Sequence, residues 1–222
     1  MIKTILFDLD GTLLDTAPDL AWALNQTRQE QGLNDLPYET IRPAVSHGGQ
    51  ALIELGFKIS VEDDSYNHLY KRLLEIYQEN LANKTRLFPG MEKVLQFIEG
   101  QQLQWGIVTN KPAWLTDPLL EQLDLLTRSC TTISGDTTPN RKPHPEPMLL
   151  ACRQSQSNPE ECLYVGDAQR DIEAGKRAGM TTLLALYGYI LPGDQPELWG
   201  ADASLDKPED LINWLQNSGI CL

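Results

Sequence analysis

Two aspartates close a short apolar run near the start of the chain, where residues 2–7 are followed by Asp8, Leu9, Asp10 and Gly11. Carboxylates two residues apart project to the same side of an extended strand, and such a pair repels unless it shares a cation or a proton. Two further carboxylates, Asp167 and Asp171, follow a second apolar run at 162–165. With no His or Cys among them, four carboxylates form a hard oxygen donor set that suits Mg²⁺. Lys142, in the loop Asn140-Arg141-Lys142-Pro143, supplies a fixed positive charge. Thr109, after the run 105–108, offers a hydroxyl and a backbone N–H suited to a phosphate oxygen. A nucleophile, an acid/base, a metal and a cationic clamp are together the parts of phosphoryl transfer.

These groups meet if the runs that precede them are neighbouring strands of one sheet, because open parallel sheets collect functional groups beyond their C-terminal strand ends. Residues 2–7, 105–108, 162–165 and 182–186 read as short buried strands closed by turns. Helical patterns lie between and after them near 90–100, 113–124, 145–155 and 169–178. Residues 200–205 predict a last strand and 208–217 a last helix opening at Pro208. The alternation predicts an α/β fold, a parallel sheet with helices on both faces.

Residues 16–84 break the alternation. Thr16 is placed to cap a helix with Pro18 and Asp19 in its first turn and Gly32 beyond its end. Ile41, Val45, Leu52, Ile53 and Leu55 predict shorter helices interrupted at His47-Gly48-Gly49, and Tyr66, Leu69, Tyr70, Leu73 and Tyr77 form an amphipathic stripe. The expected organisation is a helical insertion at 16–84, with 1–15 and 85–222 forming the sheet domain.

The 222 residues carry 18 Lys+Arg against 31 Asp+Glu, a net charge of −13. That balance argues against nucleic acid or an anionic membrane as partner, since both need a basic face. Residues 86–155 are neutral, with 7 bases and 7 acids, so an anion can still be met there. No long apolar stretch predicts a membrane span, and the early Asp8 argues against a signal peptide. Cys130, Cys152, Cys162 and Cys221 form no C-x-x-C pair and read as reduced thiols of a cytoplasmic protein.

The segments Asp8-Leu9-Asp10-Gly11-Thr12, Thr109-Asn110, Lys142-Pro143 and Gly166-Asp167 with Asp171 resemble, in order, the four motifs of the haloacid dehalogenase superfamily. The resemblance implies a Rossmann-like core with a helical cap inserted after the first strand. It implies that Asp8 attacks phosphorus to form an aspartyl-phosphate. Asp10 would protonate the leaving alcohol and later deprotonate water. Mg²⁺ would be held by the carboxylates of Asp8 and Asp167 and the backbone carbonyl of Asp10, with Asp171 supporting the shell. Thr109 and Lys142 would fix the transferring phosphoryl group. Asp10 favours the phosphatase and phosphomutase branches, since a halide leaves without a proton.

Asp15-Thr16-Ala17-Pro18-Asp19 and Val108-Thr109-Asn110-Lys111-Pro112 resemble the phosphoglycolate phosphatase-like group. Ser46-His47-Gly48-Gly49, the 86–91 segment, Tyr187-Gly188-Tyr189-Ile190 and the 199–202 segment are similar to bacterial N-acetylmuramic acid 6-phosphate phosphatases. Ala168 and His144 depart from the usual motif neighbours. The expected substrate is a small phosphorylated metabolite, N-acetylmuramic acid 6-phosphate before 2-phosphoglycolate, for a monomer or small homo-oligomer. Both esters bear a carboxylate, and Arg42, His47 and Lys111 are the candidates to read it, with Asn110 a further substrate contact. Tyr187 and Trp199 read first as packing residues. The rivals are a sugar phosphomutase and a non-catalytic receiver-like module.

Overall fold

A computed structural model describes residues 1–217; Cys221 and the last residues of the predicted sheet domain lie outside that range. In chain order, the strands are β1 (Thr4–Phe7), β2 (Leu14–Asp15), β3 (Arg86–Leu87), β4 (Gln104–Val108), β5 (Thr132–Ile133), β6 (Cys162–Gly166), β7 (Thr181–Ala185) and β8 (Ala203–Leu205). The α-helices are α1 (Ala17–Glu30), α2 (Tyr38–Ile41), α3 (Gly48–Phe57), α4 (Tyr66–Gln78), α5 (Met91–Gly100), α6 (Ala113–Gln122), α7 (Glu146–Gln154), α8 (Gln169–Ala178) and α9 (Asp210–Asn217). A 3₁₀ turn over Arg42–His47 joins α2 to α3.

Six strands form one parallel sheet in the order β5-β4-β1-β6-β7-β8. Alternate side chains of β1 go to opposite faces, as the strand period demands. Ile5 and Phe7 join one buried cluster with Ile107, Leu163, Val165 and Leu183. Leu6 joins another with Val108, Ile133, Met148 and Tyr164. Both faces are therefore covered, which is the condition a parallel sheet needs.

The sequence reading misses two features. β5 is two residues long, too short to show a period. β2 and β3 pair antiparallel, Leu14 with Leu87 and Asp15 with Arg86, so the two chain crossings beside the helical segment form a small ribbon. Between those strands lie α1 to α4. Leu20, Leu24, Leu52, Ile53, Leu69, Leu73 and Tyr77 bury the faces that the spacing marked. Thr16 sits at the N-cap of α1 but makes no side-chain cap bond; its hydroxyl donates instead to Asp10 Oδ1 at 2.6 Å. Among the described residues no helix is long and apolar enough to cross a membrane.

Candidate active site

Strand order places the C-terminal ends of β4, β1 and β6 side by side. Asp8 follows β1, Thr109 follows β4 and Asp167 follows β6. Gly11 turns the chain after Asp8 with φ +85°, and a Cβ there would lie 2.1 Å from Asp167 Oδ2. Only glycine takes that backbone conformation without cost and lets the two loops meet so closely. Gly166 does the same for the helix that follows, because a Cβ would come 2.4 Å from that of Asp171.

Lys142 is wholly buried at the centre. Its Nζ lies 2.8 Å from Asp8 Oδ1 and 2.7 Å from Asp171 Oδ1. It also donates to the Val108 carbonyl and to the Tyr164 hydroxyl, each at 2.8 Å. The Tyr164 hydroxyl donates its own hydrogen bond to the same Val108 carbonyl. A buried cation is tolerable only when so fully surrounded. Asn110 holds the lysine from behind: its side-chain amide donates to the Lys142 carbonyl at 3.0 Å, and its oxygen accepts from the Lys142 N–H at 3.1 Å. Asn110, expected at the substrate, thus has both ends of its amide on the loop that carries Lys142. The Thr109 hydroxyl is buried and accepts from the Lys111 N–H.

Asp171, in the first turn of α8, accepts the Ala168 N–H at Oδ2. Its Oδ1 has the Lys142 ammonium close by but no aligned hydrogen-bond donor. Asp167 is ringed by neutral donors: Thr12 gives its hydroxyl to Oδ1, while Ser46 (2.6 Å) and the Tyr189 N–H (2.9 Å) go to Oδ2. Burial pushes the Asp8 carboxyl up, and the Asp171 charge adds to it, outweighing the pull of Lys142. Burial, then the charges of Asp8 and Asp171, push Asp167 up to about 7.

Oxygens of Asp8, Asp167 and Asp171 all lie within 4.8 Å of one another. Three buried carboxylates set against Lys142, which reaches Asp8 and Asp171, and against the nearby Arg170 still leave an excess of negative charge, and Asp171 Oδ1 is short of a donor. Both features fit a divalent cation, and the all-oxygen donor set fits Mg²⁺. Asp10, grouped with these carboxylates in the sequence reading, turns its side chain elsewhere. Its Oδ1 accepts from Thr16 and from the Lys111 ammonium at 2.8 Å. Lys111, expected to read substrate, is thereby engaged with Asp10 and stacked over the Tyr77 ring at 4.6 Å. Burial would lower its ammonium, but the charge of Asp10 and the contact with Tyr77 raise it above the ordinary lysine value.

The site opens into a cavity of about 440 Å³ between the sheet and the helical segment, lined by Asp8, Asp10, Lys111 and Lys142 below and by Tyr66, Tyr70 and Tyr77 of α4 above. The second predicted reader, His47, lines this cavity; burial, then the Arg170 charge, lowers its pKa. Arg42 is not at the cavity. Its guanidinium donates to the carbonyls of Tyr187 (3.2 Å) and Gly188 (3.3 Å) and lies over the Tyr189 ring. The signal that misled was charge without a visible partner; backbone carbonyls of a distant loop leave no trace in sequence. Trp199 lines a smaller cavity beside Asp167 and Arg170, and Tyr187 packs edge-on against Phe88.

Several contributors were missed. Arg170, between the two acidic motif residues, donates to the Ser46 carbonyl and faces Asp171, Asp8 and Asp167. Ser46, Tyr164 and Tyr189 touch site residues directly. Of these, Ser46 and Tyr189 sat in segments already singled out, and a polar residue in such a segment was the available signal.

The sequence profile of the haloacid dehalogenase-like hydrolases matches residues 5–185. An N-acetylmuramic acid 6-phosphate phosphatase of Pseudomonas putida is 42% identical over 99% of this chain and 98% of its own length. A phosphoglycolate phosphatase of Xanthomonas campestris pv. campestris is 40% identical over 94% of both chains. The crystal structure of a predicted phosphoglycolate phosphatase from Haemophilus somnus superposes with a TM-score of 0.84 at 28% identity, covering 97% of this chain and 98% of that one.

Proposed function

We propose that this chain, which belongs to the haloacid dehalogenase-like hydrolase family, is a Mg²⁺-dependent phosphatase that hydrolyses a small phosphate monoester through a phospho-aspartate. The observation that carries the reading is the buried cluster of Asp8, Asp167 and Asp171, with Lys142 bridging Asp8 and Asp171, that brings Asp8 and Lys142 to the floor of a substrate-sized cavity.

A carboxylate oxygen of Asp8 attacks phosphorus, and the bond from phosphorus to the ester oxygen breaks. Asp10 gives its proton to the departing alcohol. Water then attacks the phospho-aspartate, Asp10 takes back a proton, and inorganic phosphate leaves with Asp8 restored. Lys142 and Thr109 hold the phosphoryl oxygens, and Lys111 and Thr16 hold Asp10 at the ester oxygen. Asp8, Asp167 and the Asp10 carbonyl would hold Mg²⁺, with Asp171 behind them; the ion supplies charge neutralisation for an anion attacking an anion. Residues 16–84 act as a cap that closes over the substrate and excludes water.

N-acetylmuramic acid 6-phosphate is the substrate we favour, which places the enzyme in cytoplasmic recycling of a cell-wall sugar. The name of the Pseudomonas relative supports this, as does a cavity within the ~300–1,000 Å³ range of ligand pockets and walled by three tyrosines. A two-carbon ester would leave much of it unfilled. The second reading is 2-phosphoglycolate, favoured by the Xanthomonas relative. Comparing kcat/KM on the two esters and on simple sugar phosphates decides between them. Asp8→Asn should remove turnover on all of them by at least ~10³-fold in a protein that still unfolds cooperatively; substantial residual phosphate release would refute the phosphatase mechanism.

A further inference from the structure

The cations around the cavity are not equivalent. Lys142 is enclosed by Asp8 and Asp171, Lys111 is paired with Asp10, and Arg170 is bound to the Ser46 carbonyl. Arg42, off the cavity, is turned to the 187–188 carbonyls. Arg141 is different. It lines the same cavity, is exposed, and its guanidinium has no hydrogen-bond or ion-pair partner among the described residues. A second group lacks an aligned partner although the Lys111 ammonium lies over its ring. The Tyr77 hydroxyl is fully buried, belongs to a residue of the cavity wall, and has no aligned hydrogen-bond partner. Buried hydroxyls without partners are rare in folded chains and call for a ligand or a water.

We propose that Arg141 and Tyr77 form the subsite for the leaving group: Arg141 reads a carboxylate on the alcohol part of the substrate, and the Tyr77 hydroxyl hydrogen-bonds a different oxygen of that part, one that esters without the carboxylate share. This rests on the phosphatase reading and adds what that reading lacks, a group for the part of the ester that is not phosphate. The planar guanidinium fork matches a carboxylate in a way that a lysine ammonium does not. Its neighbour in sequence, Lys142, is held by Asn110 at its own backbone, so the loop that presents Arg141 is fixed relative to the phosphoryl site. Specificity for a carboxylated ester then comes from one rim residue whose removal leaves the reacting groups in place.

The test compares two substrates that differ at one group: N-acetylmuramic acid 6-phosphate and N-acetylglucosamine 6-phosphate, which lacks the lactyl carboxylate. Arg141→Met should lower kcat/KM on the first by about 10- to 100-fold, the range of a lost charge-assisted hydrogen bond, and leave the second within about twofold. Arg141→Lys should recover part of the loss. Tyr77→Phe should weaken both esters, mainly in KM. Equal losses on both substrates with Arg141→Met, or none on the carboxylated one, would overturn the assignment while leaving the phosphatase reading intact. A wild-type enzyme that releases phosphate from no ester would remove the phosphatase reading and this subsite with it. Titration of the carboxylated ester into Asp8→Asn, with and without Arg141→Met, reads the same contact as a binding difference; equal affinities would likewise overturn it.

Discussion

The floor of the site and its contact with the helical segment are held by different chemistry. On the floor, cations meet carboxylates: Lys142 with Asp8 and Asp171, Lys111 with Asp10. Across the junction, the cations reach neutral acceptors, Arg42 the 187 and 188 carbonyls and Arg170 the Ser46 carbonyl, while the carboxylates accept from neutral hydroxyls, Asp167 from Ser46, Asp10 from Thr16 and Asp19 from Thr85. Buried ion pairs lock a geometry because breaking one strands a charge. A bond to a carbonyl can be exchanged for water at a net cost near 1 kcal/mol. The floor is therefore preorganised for charge that develops on phosphorus, while the junction is built to be remade.

The sharpest way to break this comparison is at Lys142. Lys142→Ala strands two buried carboxylates and should cost about 3–5 kcal/mol in urea unfolding under chelator; a loss below about 1 kcal/mol would mean that water already reaches the floor. The next effect is pH-linked. Asp167 has its folded pKa raised from 3.8 to about 7, so the folded state holds the proton more tightly than the unfolded one. Its contribution is present at low pH and is lost as pH rises through about 7. At roughly 1.4 kcal/mol per pH unit, metal-free wild type should lose up to about 4 kcal/mol against Asp167→Asn between pH 4 and 8. Added Mg²⁺ should shrink that difference, and parallel stability curves without metal would contradict it.

Smaller effects belong to the junction. Arg42→Ala should cost about 2 kcal/mol, from two bonds given by a charged donor, and lower kcat/KM equally on a generic ester and on the preferred substrate. A selective loss on the preferred substrate would restore Arg42 as a substrate reader. Ser46→Ala should cost about 1 kcal/mol in thermal unfolding; a cost like that of Lys142→Ala would place Ser46 with the floor.

The floor was largely legible in the sequence and the junction was not. Asp8, Thr109, Lys142 and Asp167 sit at strand ends or in a marked loop, and strand order alone brings strand ends together. Arg42 was misplaced because its partners are backbone carbonyls more than a hundred residues away. Thr16 was read as a helix cap, since local spacing does not show the turn at Gly11 that brings Asp10 to its hydroxyl. Strand β5 and the β2–β3 ribbon are too short for periodicity to register.

Strand β1 lies at the middle of the sheet, yet it leaves the ribosome before every other strand of that sheet. Its neighbours pair Thr4 with Gln104 on one side and with Cys162 on the other. Until β6 has been made, more than 150 residues later, the strand that carries the nucleophile lacks one flank of its ladder and has its apolar faces uncovered. Such distant pairing makes folding slow, and it leaves the helical segment as the first stretch able to organise on local contacts. The birth order of the protein is thus the reverse of its architecture: the cover is in hand before the floor beneath it exists.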